Sequence, residues 1–261
     1  MDWDDYRAVL FDLDGVITPT AEVHMRAWAA MFTAFLDERG VDAPYTDQDY
    51  FDHVDGKPRY DGVRDLLASR GITLPEGTPT DTGHPDEPAT VCGLGNRKND
   101  AFGEVLREEG VEAYPGSLAL MAQLRASGMK MAIVSSSKNA PDVLAAAGVA
   151  DYFPVVVHGG IAAERGIPGK PAPDTYQEAA RELGVPEDTA VVVEDATSGV
   201  AAGAAGDFGL VIGVDRGVGA DARLAPGADG VGADALLAAG ADVVVADLAE
   251  LVSAPPEGSS A

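Results

Sequence analysis

Positive charge is scarce in this sequence: 18 Lys and Arg stand against 43 Asp and Glu, a formal net charge of −25. Tight nucleic-acid binding needs Lys and Arg to replace counterions along the phosphates, and no basic block of that size occurs. The same shortage removes any attraction to an anionic membrane surface. Apolar runs are short, well below the ~20 residues needed to span a bilayer. The opening Met1-Asp2-Trp3-Asp4-Asp5-Tyr6 is acidic where a secretory signal is basic. A single cysteine, Cys92, allows neither an internal disulfide nor a cysteine metal cluster. These absences predict a soluble cytoplasmic protein with no nucleic-acid and no membrane partner. On oligomeric state the sequence is silent, and a monomer is compatible with it.

What is present is globular. The chain has 261 residues, 46% of them apolar and 23% charged, enough to bury a core and unlike a disordered composition. Short apolar, Val/Ile-rich runs fall at Ala8 to Phe11, Met129 to Val134, Val155 to Val157, Ala190 to Val193, Leu210 to Val214 and Val243 to Val245. Such runs, bounded by turn signals, read as strands buried on both faces. Helical periodicity fills most intervals, at Ser117 to Ala126, Ala140 to Ala147, Thr175 to Leu183 and Ser198 to Ala205. Alternation of this kind predicts an α/β fold with a Rossmann-like parallel sheet.

The first interval is different. A long stretch separates the first two strands, and helices are expected in it at Ala21 to Leu36, Gly62 to Leu67 and Lys98 to Arg107. The first of these puts His24, Trp28, Met31, Phe32 and Phe35 on one face. The resulting expectation is a core from 1–19 and 113–252, a helical cap inserted at 20–112, and a flexible Pro/Ser/Gly tail at 253–261. Leu74 to Ala89, with four prolines, reads as a loop within the cap.

Ligands of an open parallel sheet bind beyond the carboxyl ends of the strands. The first strand ends in Asp12 and Asp14, the second in Ser135-Ser136-Ser137-Lys138-Asn139, and the fourth in Glu194-Asp195, while Lys170 precedes a helix. Each has a plainer reading when taken alone. Asp-Leu-Asp-Gly and Glu-Asp suit turns, the serines suit a helix cap, and Lys170 suits a solvated surface. Their joint position at strand ends points instead to one polar site.

Several other chemistries fail on spacing. Gly15 follows the second Asp too soon for a calcium loop, Pro171 follows Gly169-Lys170 where a P-loop needs a hydroxyl, and no serine lies in a Gly-x-Ser-x-Gly elbow. In order, Phe11-Asp12-Leu13-Asp14-Gly15-Val16-Ile17-Thr18, Val134-Ser135-Ser136-Ser137-Lys138-Asn139, Gly169-Lys170-Pro171-Ala172-Pro173-Asp174 and Val193-Glu194-Asp195 resemble the four motifs of the haloacid dehalogenase superfamily. From about Arg7 to Leu251 the spacing most resembles its β-phosphoglucomutase-like branch.

The resemblance implies that Asp12 is a nucleophile forming an aspartyl phosphate and that Asp14 is the general acid and base. It implies Mg²⁺ held by Asp12, the Asp14 carbonyl and Asp195, with Glu194 in the same cluster. It further implies that Ser135 and Lys170 bind the transferring phosphoryl group, with Ser136, Lys138 and Asn139 beside them. The physics agrees: a carboxylate attacking a phosphoryl dianion meets like-charge repulsion, so cations must neutralise the developing charge. His24, Trp28, Gly56, Lys57, Arg59 and Lys98 align with cap positions that close over a sugar phosphate. Arg59 corresponds to the arginine gripping the phosphate that is not transferred. His24 and Trp28 also suit a plain apolar helix face, and Lys57 and Arg59 ordinary surface charge.

Pro19, Ala196 and the long 74–89 loop depart from the branch pattern, and all three bear on substrate choice. The implied reaction is interconversion of β-glucose 1-phosphate and glucose 6-phosphate, with phosphatase action on a sugar phosphate or similar small phosphomonoester as the alternative. A dehalogenase would need neither Asp14 nor the Glu194-Asp195 pair, and a signalling receiver domain would need no cap. Of the five lysines, Lys57, Lys98, Lys138 and Lys170 fall in segments assigned to the phosphate site, leaving only Lys130 outside. In so acidic a chain, an anionic substrate must be drawn to one local cleft.

Overall fold

The computed structural model describes residues 1–84, 87–217 and 232–253. Its sheet has six strands: β1 Ala8–Phe11, β2 Lys130–Ser135, β3 Val155–His158, β4 Ala190–Glu194, β5 Leu210–Val214 and β6 Val243–Val245. They run in the order β3-β2-β1-β4-β5-β6, every pair parallel. Phe11 stands opposite Ile133 of β2 on one side and Val193 of β4 on the other. This order reverses direction between β1 and β4, where a crevice opens at the carboxyl edge.

Strand side chains alternate between two faces, and each face has its own cover. Val9, Phe11, Met131, Ile133, Val191 and Val193 pack with Leu120, Met121 and Leu124 of helix α5 Pro115–Ala126 and Val143 and Leu144 of α6 Ala140–Ala146. Leu10, Ala132, Val134 and Val192 meet Tyr176, Ala179 and Leu183 of α8 Asp174–Leu183, Val200 of α9 Thr197–Ala205 and Leu236 of α10 Ala233–Ala239. A shorter helix, α7 Gly159–Arg165, follows β3.

Between β1 and α5 stand α1 Thr20–Glu38, α2 Asp47–His53, α3 Arg59–Ser69 and α4 Val91–Glu109. Trp28, Met31, Phe32, Phe35, Tyr50, Leu66, Leu67 and Leu94 form a separate apolar cluster within this insertion. Two elements differ from expectation. Helix α4 begins well before Lys98, because Thr90 caps it by accepting a hydrogen bond from Gly93 N at 2.9 Å while its glycines blur the periodicity. Helix α2 adds to the helices expected, and Thr46 and Asp49 form a reciprocal capping box at its start. The 74–89 stretch is irregular at its described positions, as expected. Beyond Ser253 the expected tail lies outside the described residues. Among the described residues no helix is long and apolar enough to cross a membrane.

Candidate active site

The sheet register carries the first carboxylate into the crevice. Asp12 N donates to Val193 O at 2.9 Å, extending the β1–β4 ladder one residue past Phe11. Beneath Asp12, in the loop between α7 and α8, Lys170 is only 3% exposed. Its Nζ donates to Asp12 Oδ1, to Glu194 Oε1 and to Val134 O, the last at 3.0 Å. Burial opposes the ammonium, but Asp12 and Glu194 outweigh it and hold Lys170 well above the ordinary lysine value. Asp12 itself is pushed up by burial and by the charges of Glu194 and Asp14, against the pull of Lys170.

The second carboxylate sits in a turn that also starts the insertion. Gly15 N donates to Thr18 O at 2.8 Å, and Thr18 N donates to Leu13 O at 3.1 Å. Thr20, the first residue of α1, donates its hydroxyl to Asp14 Oδ1. His24 Nε2 lies 3.5 Å from the same oxygen, and His24 Nδ1 meets Lys98 Nζ. When Lys98 is charged it can only donate, so Nδ1 then accepts and the ring proton lies on Nε2, which is buried without a hydrogen-bond partner. Burial would raise Asp14, yet His24, Thr20 and Lys98 together hold its carboxyl below the usual value. Burial lowers Lys98 to about 7, with Asp14 resisting and Arg59 adding to the fall. Its ammonium lies 5.1 Å from the ring centres of both Trp28 and Phe102, and Phe102 stacks on His24.

Asp12, Asp14, His24, Lys98 and Glu194 line a cavity of about 410 Å³ between the sheet edge and the insertion, together with Trp28, Asp55, Gly56, Lys57, Arg59, Ser135, Ser136, Lys138 and Asp195, while Lys170 lies behind this lining. Positive charge accumulates on part of its lining, at Arg59, Lys98 and Lys138. Arg59 Nη1 is buried with no hydrogen-bond partner, and the Arg59 charge helps depress both Lys98 and, after burial, Lys138. Arg59 Nη2 donates to Tyr60 Oη at 3.3 Å, and like charges gathered around the open Nη1 make a site for an anion.

Residues 6–207 match the family model described as haloacid dehalogenase-like hydrolase. The chain belongs to that family. It is 48% identical over 216 residues to a β-phosphoglucomutase of Mycobacterium bovis, covering 80% of this chain and 81% of the relative. A crystal structure of β-phosphoglucomutase from Clostridium difficile shares the fold with a TM-score of 0.70 at 22% identity, covering 94% and 93% of the two chains. A haloacid dehalogenase family hydrolase from Deinococcus radiodurans, solved with bound phosphate and sodium, aligns with a TM-score of 0.61 at 29% identity over 95% and 93%. The chain is therefore a haloacid dehalogenase-family phosphotransferase of the β-phosphoglucomutase-like branch.

Within this haloacid dehalogenase site, not every expected residue faces the cavity freely. Glu194, expected among the metal ligands, has both oxygens engaged: Oε1 accepts from Lys170 and, at 3.3 Å, from Tyr176, and Oε2 accepts from Ala196 N at 2.8 Å. It lines the cavity, but its oxygens anchor Lys170 and the turn after β4. Lys57 lines the cavity but directs its ammonium to Asp65, 2.8 Å away. Asn139 lies outside the lining, and its amide donates to Asn99 of the insertion at 2.8 Å. Ser136 donates to Gly56 O at 2.7 Å, and a Cβ on Gly56 would lie 2.1 Å from Ser198 Oγ, so both hold the insertion against the sheet edge.

Sequence reasoning missed Asp55, which precedes Gly56 and enters the acidic centre. Burial, then Glu194, raises its carboxyl to about 7, although the Tyr50 hydrogen bond and Lys170 pull the other way. Asp195 is also raised, by burial and by Glu194, Asp55, Asp12 and Asp14. It reaches the Asp14-Gly15 turn so closely that a Cβ on Gly15 would lie 1.7 Å from its Oδ2. Among the described residues no three His, Cys, Asp or Glu side chains are gathered closely enough to hold a metal alone. Mg²⁺ keeps several waters and takes only one or two carboxylates, so Asp12, Asp195 and the Asp14 carbonyl fit it. The surplus of buried carboxylates over the one ammonium beneath them fits a divalent cation for the same reason.

Proposed function

We propose that the enzyme transfers a phosphoryl group through an aspartyl phosphate on Asp12 and interconverts β-glucose 1-phosphate and glucose 6-phosphate, with the insertion closing over the sugar as a cap. The observation that carries this reading is Arg59 Nη1, buried without a partner beside Lys98 and Lys138 in the same cavity as Asp12 and Asp14. A mutase must grip one phosphate while the other is transferred, and a planar guanidinium suits that grip. The 48% identity to a β-phosphoglucomutase supports it further.

The residues divide the work by charge. Asp14, held below the usual carboxylate value, starts as a base. It takes the proton from the sugar hydroxyl as that oxygen bonds to phosphorus and the bond to Asp12 breaks. In the return step an Asp12 oxygen forms the new bond to phosphorus, the bond to the other sugar oxygen breaks, and Asp14 gives the proton back to that oxygen. Lys170 neutralises charge beneath Asp12, and Ser135 offers a hydroxyl at the end of β2. Mg²⁺, bound by Asp12, Asp195 and the Asp14 carbonyl, would supply the remaining positive charge for the transferring group.

Phosphorus NMR with β-glucose 1-phosphate, Mg²⁺ and a glucose bisphosphate primer tests the proposal. Glucose 6-phosphate is the expected product; free phosphate as the only product refutes the mutase outcome and leaves a phosphatase. Arg59→Ala should abolish isomerisation while sparing hydrolysis of small phosphates, because only the second phosphate needs Arg59.

A further inference from the structure

Arg216 follows β5 by two residues, far in sequence from Asp14, and its side chain is only 10% exposed. Its Nε donates to Gly15 O at 3.0 Å, and its Nη2 donates to Val16 O at 3.1 Å and to Ser117 Oγ at 3.3 Å. Nη1 binds Asp247, and the guanidinium carbon lies 3.7 Å above the Tyr114 ring. It touches both crossings between sheet and insertion, the outgoing chain at the Gly15 and Val16 carbonyls and the returning chain at the Tyr114 ring and the Ser117 hydroxyl. Tyr114 N donates to Ile17 O at 2.9 Å and Ser117 Oγ to Val16 O at 2.7 Å, tying the outgoing and returning chains together at the same point.

We infer that Arg216 is a positioning residue of the transfer reaction: by clamping the Gly15 and Val16 carbonyls to the sheet, it fixes the turn that presents Asp14 and the stationary end of the hinge on which the insertion moves. The Leu13–Thr18 turn carries Asp14 at its start and leads directly to Thr20, which holds the Asp14 carboxylate. A shift of Gly15 therefore moves Asp14 and the first turn of α1 together. The contact needs a fork of donors. A lysine could reach one carbonyl but could not span two carbonyls, a hydroxyl and a carboxylate while stacking on a ring. The inference rests on the reading that Asp12 and Asp14 carry the transfer.

The test uses full-length Arg216→Lys and Arg216→Ala proteins with Mg²⁺, well below their unfolding temperatures. Hydrolysis of an aryl phosphate should lose at least about tenfold in kcat with KM within about twofold, the signature of a misplaced reacting group. Methylguanidinium should restore part of the Arg216→Ala rate. Amide exchange in peptides covering residues 12–20 should quicken at least about tenfold, while β2 and β4 keep their protection. Unchanged kcat, unchanged exchange in that turn, or uniformly faster exchange across the sheet each overturns the inference. Retained turnover in Asp12→Asn would instead overturn the transfer reading, and the exchange data would still report on the clamp.

Discussion

Replacing Lys170 with Met removes the buried ammonium at nearly constant volume and leaves Asp12 and Glu194 facing each other. The Lys170 side chain is 1% exposed, that of Glu194 1% and that of Asp12 9%, so solvent screens little of the loss. Breaking one side of a buried ion pair costs about 3–5 kcal/mol. At roughly 2–4 °C per kcal/mol for a domain of this size, the midpoint should fall by about 6–20 °C. The deficit should depend on pH with a definite sign. Asp12 already lies above the ordinary carboxylate value through burial, and without Lys170 it rises further. A carboxyl raised in the folded state contributes stability below its unfolded value and loses it as pH rises through the folded value. The deficit should thus be larger at about pH 8 than at about pH 5.5. Thermal unfolding followed by circular dichroism in chelator, with wild type alongside, measures both. A Lys170→Met protein that melts with the wild type at the higher pH would refute the view that Lys170 compensates buried charge. Turnover in the same variant should fall about 10²–10³-fold, the usual loss for one electrostatic donor at a reacting centre.

Two further outcomes follow from the acidic centre. Saturating Mg²⁺ should raise the wild-type unfolding midpoint, because a ligand that binds only the folded state stabilises it. Asp195→Asn should lose most of that rise, and an unchanged Mg²⁺ shift would exclude Asp195 as a ligand. Asp55, raised to about 7 by burial and Glu194, should make the metal-free protein less stable as pH climbs from about 4 to 7. Asp55→Asn should flatten that slope in chelator, and identical slopes in the two proteins would place the pH dependence elsewhere.

The sequence by itself determined the sheet and its catalytic edge, for a local reason. Short β-branched runs, helical periods and the turn residues after each strand are set within a few residues of one another, and all the site motifs but that of Lys170 are strand ends. Asp12, Ser135 and Asp195 could be placed at the crevice because residues at or just past a strand's carboxyl end have only one edge to stand on. Tertiary structure decided which polar groups meet. Glu194 carries the same motif signal as Asp195, yet it turns to Lys170, Tyr176 and the Ala196 amide. Lys57 and Arg59 stand two positions apart, but docking gives one a surface carboxylate and leaves Nη1 of the other buried without a partner. Asp55 and Arg216 carry no local signal of their roles. They act across the insertion and across the sheet, and the long-range packing that brings them there has no period in the sequence.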